Sequence, residues 1–254
     1  MRLSIKQKTE KQMEHGLHYL EHYANDLLLY SPWIRDIIVN NLPYTVTGVE
    51  SIINLIRCVE NIVDKGIPGD IVECGVYMGG ASRLIMETLE HLGDPRTVWM
   101  YDTYDGVPVP STEEGVYNWD TEQYQNMREW FDSREYVVEG TGTSWCYTNL
   151  EDVQDNIASL NYSGEVKFIK GLVEDTIPEQ GPQNISLLRL DVDLTEPTRH
   201  VLDNFYSRVS THGHVVFDDY GFNPTLKESV DEFLQANGSP FLFRSNKTVY
   251  QLVK

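Results

Sequence analysis

Residues 69–82 read GDIVECGVYMGGAS. Ile71 and Val72 begin a short apolar run, Gly75, Gly79 and Gly80 interrupt it, and a helical pattern follows through Leu92. A buried strand handed to a helix by a glycine turn is the opening unit of a doubly wound sheet, since the chain must cross back over the sheet before a parallel strand can pair. Working outward, TVWMYDTY (97–104), GEVKFIKGL (164–172), SLLRLDVD (186–193) and HVVFDDY (214–220) are further apolar runs of strand length. Helices are predicted over 148–160, 196–208 and 225–236, between or after these strands. Thr195 with Pro197, and Asn223 with Pro224, mark helix starts, because proline is tolerated in a first helical turn. PFLFRSNKTVYQLV (240–253) closes as a hairpin that adds an antiparallel strand. The fold class expected is α/β, with a doubly wound, mostly parallel, seven-stranded sheet from about residue 66 onward.

Upstream, a helix is predicted from about Gly48 to Lys65, with Ile52, Leu55, Ile56, Val59, Ile62 and Val63 on one face; Gly66 stops it. Residues 5–30 read as another helix, rich in aromatics and histidines. The expected organisation is an N-terminal helical extension over 1–65 and an α/β domain over 66–254. Residues 105–147 have poor periodicity and many Tyr, Trp and acidic residues. They read either as an insertion that lids the site or as a surface excursion.

The 254 residues carry a formal charge of −19, with 41% hydrophobic and 23% charged residues. That balance suits a globular protein and argues against nucleic acid or anionic membrane as a partner, both of which call for basic footprints. There is no apolar run of membrane-spanning length and no signal peptide, so a cytoplasmic location is expected. Cys58, Cys74 and Cys146 are odd in number and lack metal spacing, which suits reduced thiols; Cys74 reads as a packed small side chain.

The turn E-x-G-x-x-x-G-G places Glu73, Gly75, Gly79 and Gly80 where a doubly wound sheet meets a nucleotide-like ligand. It lacks the middle glycine of the dinucleotide G-x-G-x-x-G, and an acid precedes it. An acid with a looser turn suits a ligand with a cationic amino-acid end and no phosphate, namely S-adenosylmethionine. Asp102 ends the second strand, where a carboxylate can accept both ribose hydroxyls. The alternative is a plain structural turn.

Two other strands end in carboxylates: Asp191 and Asp193 in one, Asp218 and Asp219 in the next. Asp191 and Asp193 are two apart, so on a continuing strand they project from the same face. Four carboxylates converging there repel one another unless a hard cation sits among them. Oxygen-only donors favour Mg²⁺, with Mn²⁺ or Ca²⁺ in its place. One alternative makes these acids caps of the following helices. Another takes LDVDLT as the nucleophile loop of a haloacid-dehalogenase-like phosphatase, although that motif normally opens its fold.

With the glycine turn, the second-strand acid and the paired strand-end aspartates in this order, the chain resembles the macrocin O-methyltransferase family, metal-dependent methylases of deoxysugars. The resemblance covers about residues 44–254 and rests on YTVTGVESIINLIRCVE, GDIVECGVYMGGAS, VWMYDTYDGVP, GLVEDTIP, LLRLDVD and VVFDDY. It implies a class I methyltransferase fold of Rossmann-like type. It implies Asp191, Asp218 and Asp219 as Mg²⁺ ligands and Asp193 as general base. It further implies Glu73, Gly75, Val76, Tyr77, Gly79, Gly80 and Ser82 around the methionine part, Asp102 and Thr103 at the ribose, and Asp175 near the adenine. The expected reaction is S-adenosylmethionine-dependent O-methylation of a sugar hydroxyl in antibiotic or glycan biosynthesis, a catalytically dead cofactor-binding subunit being the non-enzyme alternative. Residues 1–43 and EYVVEGTGTSWCYTNLEDV (135–153) depart from the family pattern and are expected to shape acceptor choice.

Several other residues invite a role. His15, His18 and His22 share a helix face, which could bind zinc but reads rather as a partly buried face or a subunit contact of a homo-oligomer joined through the N-terminal helices. His200 lies near the aspartates in sequence, while His212 and His214 fall at the wrong end of their strand for a base. Tyr44, Trp119 and Trp145 are the candidates for an aromatic acceptor wall.

Overall fold

The computed structural model describes residues 7, 10, 27–110, 113–118, 122–134, 136, 138–139, 142–238 and 241–254. His15, His18, His22, Trp119 and most of the helix expected over 5–30, with the subunit contact expected of it, lie outside the described residues.

Helix α1 (Pro32–Asn41) starts on a proline, whose missing N–H costs nothing in a first turn. Helix α2 (Val49–Asp64) buries Ile52, Leu55, Ile56, Val59 and Ile62 along one stripe, with Val63 at its margin. It stops where Gly66 turns left-handed at φ 59° and the Ile67 N–H returns to the Ile62 carbonyl at 2.9 Å. Strand β1 (Asp70–Cys74) and helix α3 (Gly80–Leu92) follow, then β2 (Val98–Asp102). The 105–147 segment holds a hairpin of β3 (Gly115–Asn118) and β4 (Gln123–Asn126), helix α4 (Met127–Ser133), and the short pair β5 (Val138–Glu139) and β6 (Gly142–Thr143). The remaining elements are α5 (Leu150–Ala158), β7 (Val166–Lys170), α6 (Val173–Thr176), β8 (Ile185–Leu190), α7 (Thr195–Phe205), β9 (Val209–Phe217), α8 (Pro224–Ala236), β10 (Phe243–Arg244) and β11 (Tyr250–Val253).

Seven strands form one sheet in the order β10-β11-β9-β8-β1-β2-β7, parallel except for β10 and β11. The expected doubly wound fold is therefore present, closed by the C-terminal hairpin. The chain runs outward from β1 to β2 and β7, then returns to lay β8 against the other side of β1. That reversal makes the carboxyl ends of β1 and β8 the topological switch point, where a crevice opens.

Alternation along the strands sorts the core into two layers. Ile71, Leu187 and Val216 face α1, α2 and α3, whereas Val72, Leu188 and Val215 face α7 and α8. The helices read as an N-terminal extension thus bury their apolar stripes in the same core as the sheet. A third, aromatic cluster holds the insertion together: Trp130 and Phe131 pack with Trp145 and Tyr136, and it rests on Leu194 and Phe222. No helix among the described residues is long and apolar enough to cross a membrane.

Candidate active site at the strand ends

A cavity of about 950 Å³ lies over the carboxyl ends of β1, β2, β8 and β9. Gly75, Val76, Tyr77, Asp102, Thr103, Asp191, Asp193, Asp218 and Asp219 line it. The sequence-predicted turn, second-strand acid and aspartates therefore share one space. Val107–Pro110, Glu114 and Trp145, all within 105–147, form part of its wall.

The glycines also allow close backbone approaches within the chain. A Cβ on Gly75 would stand 1.7 Å from the Asp191 carbonyl oxygen, so Gly75 lets the ends of β1 and β8 approach each other. A Cβ on Gly80 would meet the Tyr44 carbonyl at 2.5 Å. Gly79 holds φ 87° at the N-cap of α3. Gly79, Gly80 and Ser82 are absent from the cavity wall. Tyr44 is absent from it too, its ring lying 4.2 Å from the Arg83 guanidinium.

Asp102 is held by the turn. Its Oδ2 accepts the N–H groups of Val76 at 2.7 Å and Tyr77 at 3.1 Å, and its Oδ1 that of Tyr104 at 2.7 Å. Burial pushes its pKa up while these donors pull it down. A carboxylate has about four lone-pair sites. A fourth donor, the Thr103 hydroxyl, stands 3.4 Å from Oδ1, so the chain's own groups already engage most of that capacity.

Glu73 is sealed off from the cavity. Only 1% exposed, it accepts from the Ser82 hydroxyl and from Arg189 Nη1 at 2.7 Å. Burial raises its pKa, and Arg189 and Ser82 oppose the rise. It therefore ties β1 to β8 beneath the cavity and is not among the residues that line it. Asp175 does not line the cavity either: it is exposed on α6, and its neighbour Glu174 lines the cavity instead.

Sequence reasoning missed the residue at the centre of the cluster. Arg189 interrupts an apolar strand and is fully buried. It stands abreast of Glu73 across the β1–β8 ladder, and its Nη1 and Nη2 pair at 2.7 Å with Asp191 Oδ2 and Asp218 Oδ1. Burial alone would lower its pKa; Asp191, Asp218 and Glu73 outweigh that and keep it charged. The aspartates thus have a cation of the chain's own among them, which the repulsion argument overlooked. The site is still acid-rich: burial foremost, then the neighbouring carboxylates, raises Asp219 well above the usual carboxylate range, and Asp191 rises likewise against the pull of Arg189.

Carboxylate oxygens of Asp191, Asp218 and Asp219 come within 4.8 Å of one another. One oxygen of each is committed internally: Asp191 Oδ2 and Asp218 Oδ1 to Arg189, and Asp219 Oδ2 to the Asp193 N–H at 3.0 Å. Each residue still offers a carboxylate oxygen to this three-aspartate group, and its all-oxygen chemistry fits a hard divalent ion. None of the three caps the helix that follows: α7 begins at Thr195 with Leu194 as N-cap, and the N-cap of α8 is Asn223.

Asp193 does not continue the strand. β8 ends at Leu190, and Asp193 adopts φ 63° in a tight turn closed by the Leu194 N–H on the Val192 carbonyl at 2.7 Å. Strand alternation therefore does not set its direction, as the two-residue spacing suggested. Burial first, then the charges of Asp218 and Asp102, pushes its pKa up to about 7.

The histidines stand apart. His200 Nε2 meets the Ile177 carbonyl at 3.0 Å, His212 is exposed, and His214 pairs with Asn61 at 2.9 Å; none lines the cavity. Asp191 of the DVDLT run follows the fourth parallel strand in chain order and is salt-bridged to Arg189. That placement overturns the phosphatase alternative, whose nucleophile strand opens the fold.

Residues 35–241 match the macrocin-O-methyltransferase (TylF) family. The chain is 33% identical over 192 residues to the demethyldecarbamoylnovobiocin O-methyltransferase of Streptomyces niveus, covering 75% of this chain and 67% of that protein. It is 30% identical over 195 residues to the 8-demethyl-8-(2,3-dimethoxy-alpha-L-rhamnosyl)-tetracenomycin-C 4'-O-methyltransferase of Streptomyces olivaceus, covering 76% and 68% of the two chains. Among solved structures, the O-methyltransferase NovP superposes with a TM-score of 0.69 at 28% identity, over 83% of this chain and 82% of that one.

Proposed function

The chain belongs to the macrocin O-methyltransferase family, and from that membership we propose that it methylates a hydroxyl of a deoxysugar carried by a natural product, using S-adenosylmethionine and a divalent ion, Mg²⁺ first among them. One observation carries the reading: the β1 turn and Asp102 share a single cavity with the three-aspartate oxygen cluster. The tetracenomycin relative is named for methylation on a rhamnosyl group, which supports a sugar acceptor here. A volume of about 950 Å³ suits a cofactor and an acceptor side by side.

Asp102 lines the cavity and binds a ribose hydroxyl, its long 3.4 Å contact with the Thr103 hydroxyl being the one that gives way, and Val76 and Tyr77 form the wall beside it. Asp191, Asp218 and Asp219 hold the ion, which when bound supplies Lewis acidity that makes a nearby hydroxyl easier to deprotonate. Asp193 takes the acceptor's hydroxyl proton on its carboxylate. A base works best when its pKa lies near the working pH, and Asp193 stands at about 7. Trp145 and the Val107–Pro110 segment close the cavity on the insertion side and exclude water from the acceptor.

The experiment is a panel of 6-deoxyhexosides on aromatic and macrolide aglycones, incubated with S-adenosylmethionine and Mg²⁺. Release of S-adenosylhomocysteine together with one added methyl per sugar supports the proposal. A protein that binds S-adenosylhomocysteine yet methylates no member of the panel is instead the non-catalytic subunit.

A further inference from the structure

Apart from the strand-end acids, one more buried carboxylate reaches this loop, and it comes from the insertion. Glu114 immediately precedes β3 and is 3% exposed. Its Oε1 accepts the Thr195 N–H at 2.8 Å, and its Oε2 accepts the Thr195 hydroxyl and Asn223 Nδ2, both at 2.7 Å. The N-cap of α7 is Leu194, whose side chain has no acceptor. Glu114 therefore caps α7 from a distant part of the chain, where a negative charge is favoured.

Asn223 completes the arrangement. Fully buried, it spends Oδ1 on the N–H groups of Thr225 and Leu226 at the start of α8. Its Nδ2 is shared between Glu114 and the backbone carbonyl of Asp193, the latter at 3.1 Å. Asp193 lies between these anchors in its left-handed turn. A non-glycine residue stays in such a conformation only when its surroundings over-determine it.

We propose that Glu114 is a positioning residue for Asp193: from the insertion it fixes Thr195 after the turn and, through Asn223, the Asp193 carbonyl, so that the turn keeps one conformation. The catalytic consequence rests on Asp193 being the base; the conformational one does not. Replacing Glu114 by glutamine keeps size but leaves an NH₂ facing either the Asn223 amide or the Thr195 donors. One of its hydrogen bonds is lost in either orientation.

The test compares E114Q and the milder T195V, which removes only the hydroxyl arm, with the unmodified chain. Hydrogen exchange over residues 191–196 should rise in both variants, more in E114Q. Affinity for S-adenosylhomocysteine should stay within about twofold, while kcat on the best acceptor of the panel falls by about 10²-fold in E114Q. Should E114Q fail to fold, the exchange of T195V decides. Unchanged exchange over 191–196 overturns the proposal, as does a loss of kcat matched by an equal loss of S-adenosylhomocysteine affinity. If D193N keeps full activity, the base assignment fails by itself, and the exchange result still judges the role of Glu114.

Discussion

Arg189 Nη1 and Glu73 Oε1 lie 2.7 Å apart, with both side chains 2% exposed or less. They are register partners on β8 and β1, so the ion pair bridges the two strands whose ends open the cavity. Arg189 also serves Asp191 and Asp218, whereas Glu73 has Ser82 as its other partner. Removing one member of a buried ion pair typically costs about 3–5 kcal/mol, because the other is left uncompensated. Arg189→Met should therefore destabilise the fold by at least that range in urea titrations, and Glu73→Gln by less. An equal or larger cost for Glu73→Gln would mean that the cluster is not organised on Arg189.

The glycines of the turn should differ in the same measurement. Gly75→Ala drives a Cβ into the Asp191 carbonyl at φ 87°, where the atoms it meets are backbone of Asp191 and Val192 that cannot swing aside. A cost above about 4 kcal/mol, at the extreme of single substitutions, is expected. At Gly79 the added atom meets the Ile157 and Val153 side chains at 3.4 Å, an ordinary contact, so only the left-handed backbone is penalised, by about 1–2 kcal/mol.

These residues also mark how far the sequence can be read. The strands are legible because Ile71, Val72, Leu187 and Leu188 sit in apolar runs bounded by turn residues, and α2 because its stripe repeats at helical spacing. Gathering Asp191, Asp218 and Asp219 follows from that order of elements. Arg189 is not legible, since its partners exist only once β1 and β8 are known to be neighbours. Nor are the backbone donors on Asp102, because an N–H leaves no mark on residue identity. Glu114 lies in a segment without periodicity and acts through two loops distant in sequence. The left-handed turn at Asp193 is set by those tertiary anchors and not by its own side chain.

The cofactor reading predicts a selective thermal shift. A ligand that binds only the folded chain stabilises it by about 2.7 kcal/mol at a hundred times its Kd. S-adenosylhomocysteine should do so and NAD should not. Asp102→Asn should weaken the shift and lower the stability of the unliganded protein as well, since Val76, Tyr77 and Tyr104 all donate to that carboxylate. A change confined to the ligand shift would contradict the structural half of this assignment.

His214 supplies a pH dependence remote from the cavity. It is 5% exposed, its Nε2 pairs with Asn61, and burial lowers its pKa below the ordinary value of 6.5. Above 6.5 both folded and unfolded states hold it neutral, and it contributes no difference. As pH falls below 6.5 the unfolded chain takes up the proton first, so stability is lost until the folded pKa is passed. Thermal melts at pH 7.5 and 5.5 should therefore show a larger acid-induced loss in the unmodified chain than in His214→Asn. Equal losses would show that His214 titrates normally.

The aspartates two apart in sequence should fail in different ways. Asp191 is fixed by Arg189 and belongs to the three-aspartate oxygen group, while Asp193 sits in the turn beyond it with its pKa pushed up to about 7. A proton acceptor converted to its amide loses the proton-transfer contribution, about 10²–10⁴-fold in kcat, with no reason to bind ion or cofactor less well. Asp193→Asn should show that loss at unchanged Mg²⁺ requirement. Asp191→Asn, Asp218→Asn and Asp219→Asn should instead raise the Mg²⁺ concentration giving half-maximal rate, and EDTA should abolish turnover while S-adenosylhomocysteine still binds. Direct Mn²⁺ binding by calorimetry separates the two classes without any acceptor: weakened in the three ligand variants, retained in Asp193→Asn. If added Mg²⁺ rescues Asp193→Asn, then Asp193 is a ligand, and the proton must leave by another group.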